Sequence, residues 1–208
     1  MVNQKQILRK KRQPWLLLIL FLIFLVPMIL AWLLYEEGDK GISKTVNRGQ
    51  LIQPPIAMSQ LALKDLEGQA YDQKSLRGKW LMLYISPTPQ CQEDCQKKLY
   101  FMRQIQIATG KDMDRIQRVM LTLPKQKPDP HLEQLLQTDF AGTTHLLIAQ
   151  KDFQKGMQSS ATTTLAMTQG YLYLVDPLGN IMMGYPMAAN PSDIFKDLRK
   201  LLKVSQIG

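Results

Sequence analysis

The chain has 208 residues and a formal net charge of +9, with 26 Lys and Arg against 17 Asp and Glu. Five of the basic residues fall within the first twelve positions, which leaves 21 basic against 17 acidic residues, or +4, over the rest. That balance excludes a nucleic-acid binder, and two cysteines exclude a multi-disulfide scaffold.

The first segment carries Lys5, Arg9, Lys10, Lys11 and Arg12 and no acid. Trp15 to Tyr35 follows without a charge. At about 1.5 Å per residue, a helix of that length spans the roughly 30 Å hydrocarbon core of a bilayer. A cleaved signal peptide would have a shorter apolar stretch and a small-residue cleavage site, and neither is evident. Pro27 is tolerated in a membrane helix. Basic residues precede the span and Glu36, Glu37 and Asp39 follow it, so the positive-inside rule puts the N-terminus in the cytoplasm. In a bacterium this describes a single-pass inner-membrane anchor with a periplasmic C-terminal domain. The expected layout is a basic cytoplasmic arm over 1–14, a transmembrane helix over 15–35, a polar tether over 36–57 ending at Pro54-Pro55, and a folded domain over 58–208.

Within that domain, Leu61-Ala62-Leu63 and the turn at Glu67-Gly68 predict a small hairpin. Trp80 to Ile85 is a continuous apolar run, the pattern of a strand covered on both faces. Ser86-Pro87-Thr88-Pro89-Gln90 continues neither strand nor helix, because proline lacks the N–H and restrains the residue before it. Cys91-Gln92-Glu93-Asp94-Cys95 opens a helix running to Gly110, in which Leu99, Met102, Ile105 and Ile107 keep a roughly helical spacing. Both cysteines of the chain therefore lie where a buried strand hands over to a helix, whose positive N-terminal end stabilises a thiolate. Residues four apart on a helix have Cβ atoms roughly 5–6 Å apart, whereas a disulfide wants about 3.5–4.5 Å. A disulfide thus requires Cys91 at or before the helix cap. A metal held between two soft sulfurs, Cu(I) or Zn(II), tolerates the wider gap. An inert structural pair is the third possibility.

Ile116 to Leu123 predicts a second strand, stopped by Pro124, with Lys125 to Pro128 a basic exposed loop. Asp129-Pro130 reads as cap and first position of a helix to about Asp139. His145 to Ala149 is a third strand. Lys151 to Gly170, rich in Ser and Thr, reads as loop. Tyr171–Asp176 and Ile181–Tyr185 flank Pro177-Leu178-Gly179-Asn180 as a β-hairpin. Asn190 caps a last helix with Ile194, Leu198, Leu201 and Leu202 on its apolar face. This order is that of an α/β, thioredoxin-like domain, and about 150 residues suffice to bury one core.

Gly78 to Cys95 resembles the strand, loop and C-x-x-x-C of the Sco/SenC proteins, membrane-anchored thioredoxin-fold factors for copper-site assembly in cytochrome c oxidase. Asp114 to Leu123 is similar to their following strand, and Tyr173 to Gly179 to their Y-L-I-D-P-x-G turn. The resemblance covers roughly Leu61 to Leu202. It implies a Cys91/Cys95 pair for Cu(I) handling or thiol–disulfide exchange, with oxidase subunits or other assembly factors as partners. The copper-binding His of the family falls here on Thr168, flanked by Met167, a possible soft substitute ligand. The Pro usual after the first Cys is Gln92. His131 and His145 read as ordinary surface or structural histidines. No Pro lies just before Tyr171, where disulfide oxidoreductases of this fold usually carry a cis-Pro. The alternatives are a thiol–disulfide oxidoreductase without copper and a non-catalytic membrane-anchored interaction module.

Overall fold

The computed structural model describes residues 14–41, 47–88, 90–123, 129–158, 169–205 and 207, without the side chains of 14, 16–17, 34–41 and 155–158. The chain divides into two compact units, Met1–Val46 and Asn47–Gly208. The described part of the first is one helix, α1 (Pro14–Gly41), on which Phe21, Ile23, Phe24, Met28 and Trp32 are all exposed. Counted over the described side chains, which in α1 are Trp15 and residues 18–33, no helix is long and apolar enough to cross a membrane. The basic residues of the first twelve positions lie outside the described residues.

The second unit is built on a seven-stranded mixed sheet. Its strands are β1 (Gln50–Ala57), β2 (Leu63–Lys64), β3 (Trp80–Ser86), β4 (Ile116–Thr122), β5 (Thr143–Ile148), β6 (Leu172–Val175) and β7 (Asn180–Tyr185), in the spatial order β1-β7-β6-β3-β4-β5-β2. β3 is parallel to β4 and β4 to β5, while β6 runs antiparallel to β3 and to β7. Every residue of β3 is buried, as the unbroken apolar run requires. Trp80, Met82 and Tyr84 face one layer with α2 (Glu93–Ala108), α3 (Pro130–Gln137) and α5 (Pro191–Val204). Leu81, Leu83 and Ile85 face the other, where Met58, Leu61 and Leu76 meet Phe153 of α4 (Gln150–Gln158).

The local signals act as their chemistry dictates. Asp129 caps α3 by accepting from His131 N at 3.0 Å, and Asn190 caps α5 by accepting from Ser192 N at 2.9 Å. In the β6–β7 turn, Asp176 Oδ1 accepts from Leu178 N and Asn180 N at 3.0 and 2.8 Å, and Gly179 takes the φ of +92° that a side chain would oppose.

Three expectations need correction. The segment over 36–57 is not a tether along its length: α1 runs to Gly41, and residues 50–57 form β1, paired antiparallel with β7. Pro54 and Pro55 are accommodated because β1 is an edge strand and its ladder is interrupted between Leu51 and Ile56, where no N–H is demanded of them. The folded unit accordingly begins at Asn47, not Met58. Second, the expected small hairpin is not free-standing: Tyr71 N donates to Leu63 O and Asp65 N to Gln69 O, each at 3.0 Å, around the Lys64–Ala70 bridge, and Leu63–Lys64 also pairs antiparallel with β5. Third, residues 150–158 are helical, although 151–170 reads as loop; Phe153, packed in the core, supplies the anchor that composition hides. Residues 159–168 and the Lys125–Pro128 loop lie outside the described residues.

Candidate functional site

The Cys91–Cys95 pair stands at the C-terminal end of β3, and its geometry follows from where α2 begins. Ser86 ends the strand and turns the chain by donating its hydroxyl to Thr88 O at 2.8 Å, while Thr88 Oγ1 donates to Gln90 O at 2.6 Å. Gln92 is the N-cap, with extended backbone and no side-chain cap bond, so regular helix starts at Glu93. Cys91 therefore precedes the cap, outside the helix, and Cys95 lies in its first turn. That offset brings the Cα atoms to 5.1 Å, and the two sulfurs form a disulfide. Cys91 stays tied to the helix through Gln96, whose Nε2 donates to Cys91 O at 3.1 Å. The requirement that a bridge place Cys91 at or before the cap is met.

Both cysteines are buried to a similar degree, 6% and 5% exposed, within the layer that α2 forms against β3. Exposure alone does not make Cys91 the more accessible thiol. A pocket of about 320 Å³ opens beside Cys95, lined also by Tyr84, Pro87, Met187, Glu93 and Asp94. Met187 is exposed, and a Cβ at Gly170 would come within 3.2 Å of its methyl group.

Electrostatically the site is mixed. Glu93 and Lys97 form an exposed i,i+4 pair at 2.7 Å; this hydrogen bond lowers the carboxyl pKa and raises that of the ammonium. Burial pushes the Lys98 ammonium down, opposed by Asp94. Burial also raises the Tyr84 phenol, with Ser86 pulling it back and Asp94 adding to the rise. Although Ser86 lies close enough to act on it, its hydroxyl is committed to Thr88 O, and Tyr84 Oη meets no partner in hydrogen-bonding geometry among the described residues.

The remaining candidate ligands do not join the pair. His131 is exposed at the start of α3. His145 is buried on β5, its Nε2 2.7 Å from Thr122 Oγ1, and desolvation lowers its pKa to about 4. Met167 and Thr168 lie outside the described residues. Among the described residues no three His, Cys, Asp or Glu side chains converge as a metal site. The donor set is two sulfurs, and Met187 lines the same pocket as Cys95. Once reduced, two thiolates suit a soft ion of low coordination number such as Cu(I). Tyr84 and Met187 are pocket residues that sequence reading passes over, one as strand filling and the other as loop.

Residues 80–205 match the family described as transmembrane-like, thioredoxin-like, C-terminal domain. The chain belongs to this family. No curated protein matches the sequence. Among solved structures, this thioredoxin-like domain is similar to Arabidopsis thaliana ScoI with copper bound, at 15% identity and a TM-score of 0.53 over 76% of this chain and 99% of that one. Yeast Sco1 is 15% identical with a TM-score of 0.52, over 74% and 96% of the two chains. BsSco, a member of the Sco family of cytochrome c oxidase assembly proteins in which a disulfide switch is identified, is 15% identical with a TM-score of 0.51, over 78% and 100%. The Sco/SenC resemblance carried by Gly78–Cys95 and Tyr173–Gly179 thus returns as a likeness of fold.

Proposed function

We propose that this chain is a membrane-anchored assembly factor that uses Cys91 and Cys95 for thiol–disulfide exchange and for handling Cu(I) in cytochrome c oxidase maturation. The observation that carries the reading is the disulfide itself, closed across the cap of α2 at the end of the buried strand β3. Support comes from the fold it shares with ScoI with copper bound and with BsSco and its disulfide switch. Copper here is cargo: the reduced sulfurs hold it as a two-coordinate ion, and reclosing the bridge removes both ligands at once. Met167 and Met187 are candidate third donors.

The anchor is α1. Its 28 residues would extend about 42 Å at 1.5 Å each, and Trp15–Tyr35 carries no charge. Basic residues before it and Glu36, Glu37 and Asp39 after it favour a cytoplasmic N-terminus and a periplasmic domain at a bacterial inner membrane. A reporter active only in the periplasm, fused after Gly208, is expected to be active; activity of a cytoplasm-only reporter at that position overturns the topology.

Copper is tested with the full chain in detergent, reduced and anaerobic, against a competing Cu(I) chelator. About one Cu(I) is expected per chain, with Cu(II) bound only weakly. Cys91→Ser with Cys95→Ser is expected to abolish Cu(I) retention. A wild-type chain that retains no copper leaves the second reading, thiol exchange without metal.

A further inference from the structure

Arg118 of β4 stands where the fold asks for an apolar side chain. In the sheet it shares one row with Leu174 of β6 and Met82 of β3, both buried in the core layer on the α2 side, and Thr143 of β5 ends that row. Arg118 is 6% exposed. Its Nη2 donates to Ala141 O, but among the described residues Nε and Nη1 are buried without a partner, and so is Oγ1 of Thr143. No carboxylate forms an ion pair with Arg118 among the described residues. The charge that acts on it is a second cation, Arg103 of α2; burial and this neighbour both disfavour the Arg118 cation. A guanidinium cannot shed its proton to escape. A buried charge of this kind is costly until an opposite charge meets it.

One loop holds both guanidinium groups. Arg103 Nη1 donates to Asp139 O at 3.0 Å, and Arg118 donates to Ala141 O two residues further on. Gly142, at a φ of +84°, lets this loop come down onto Arg118: a Cβ there would lie 3.2 Å from Nη2. Arg103, Ala141 and Gly142 are exposed, so the buried group lies directly beneath an open surface. We propose that Arg118, Arg103 and the Thr143 hydroxyl form an oxyanion site that binds a phosphate group at the loop between α3 and β5. Water would satisfy the free N–H groups but brings no charge. A carboxylate brings one negative charge and two oxygens, whereas a phosphate brings up to two charges and at least three acceptor oxygens. The second set matches two guanidinium ions and a hydroxyl donor. Met82, beside Arg118, is four residues before Ser86, which puts the site about 13 Å along the sheet from the end of β3 that leads to the cysteines. Phosphate binding here is therefore independent of the thiol and copper reading.

The full chain in an uncharged maltoside detergent is dialysed to equilibrium against radiolabelled inorganic phosphate, with chloride holding the ionic strength constant. Saturable binding that approaches one phosphate per chain is expected, displaced by sulfate and not by acetate at the same concentration. Arg103→Gln, at an exposed position, is expected to weaken it about tenfold, and Arg118→Met to abolish it. Lys97→Gln removes an exposed cation of α2 that pairs with Glu93 instead, and is expected to leave binding unchanged. Phosphatidic acid in the same micelles and water-soluble glycerol 3-phosphate then compete for the label. Displacement by the first alone assigns a lipid headgroup, and by the second alone a soluble phosphate ester. Uptake that does not saturate, acetate that displaces as well as sulfate, or an affinity that Arg103→Gln leaves unchanged each overturns the site. Should Arg118→Met fail to fold, the wild-type isotherm and Arg103→Gln decide the question without it.

Discussion

His145 offers the sharpest test of the electrostatics, because its burial sets both the direction and the size of the effect. The ring is 9% exposed on β5, bonded through Nε2 to Thr122 Oγ1, and Nδ1 finds no partner among the described residues. Desolvation lowers its pKa from 6.5 to about 4. The unfolded chain therefore takes up a proton near pH 6.5 that the folded chain refuses until about pH 4. The stability present above pH 6.5 is lost as pH falls through this window and changes no further below it. At 1.36 kcal/mol per unit, the loss from this one group is about 2.5 kcal/mol between pH 7.5 and 4.5. His145→Gln keeps a polar group near Thr122 and cannot titrate. Urea unfolding of the full chain in detergent, followed by far-ultraviolet circular dichroism at the two pH values, gives the difference. Carboxylates titrate alike in both proteins and cancel in the comparison. The variant is expected to lose about 2.5 kcal/mol less than wild type on acidification. Parallel losses in the two proteins would refute the assignment.

Three further outcomes follow from named contacts. Asp197 is 1% exposed on α5, and its Oδ2 accepts from Arg48 N, Gly49 N and Tyr185 Oη at 2.7, 2.9 and 3.0 Å; Asp197→Ala orphans three donors and should cost at least about 3 kcal/mol in urea unfolding. Gly49→Ala places a Cβ 2.5 Å from Tyr185 Cζ and 2.7 Å from Met183 Cγ, so a loss of about 1–3 kcal/mol is expected, measured as a lowered thermal midpoint. Reducing the Cys91–Cys95 bridge, whose cysteines are four apart in sequence, removes a very short loop closure. The expected loss is about 2 kcal/mol at most, with far-ultraviolet circular dichroism unchanged; collapse of the spectrum on reduction would make the bridge a structural staple.

What the sequence made legible is what a short window of residues can specify. The apolar run of β3, the caps Asp129 and Asn190, the Asp176–Gly179 turn and the offset of Cys91 from its helix are all settled within a few neighbouring residues. β1 escaped because its prolines carry the local signal of a linker, and only pairing with β7, more than a hundred residues away, overrides it. α4 escaped for a related reason: Phe153 is its one buried anchor with a described side chain, and that anchor has meaning only once the sheet face it meets exists.

The site residues divide along the same line. Cysteines announce themselves, since two in a chain of this length, four apart after a buried strand, leave few readings. Met187 carries no such signal in the sequence; it lines the pocket because β7 runs antiparallel to β6, and β6 to β3, which brings the end of β7 to the end of β3 where the cysteines lie. Asp197 did carry a signal. It stands three residues after Ile194 and four before Leu201, on the stripe that α5 turns toward the sheet, where a charge is costly without partners. A carboxylate on a buried stripe predicts buried donors, and those donors are the backbone N–H groups of Arg48 and Gly49 at the entrance to β1. The same residue that breaks the apolar pattern of α5 thus marks where the folded unit begins, eleven residues before the start that composition indicated.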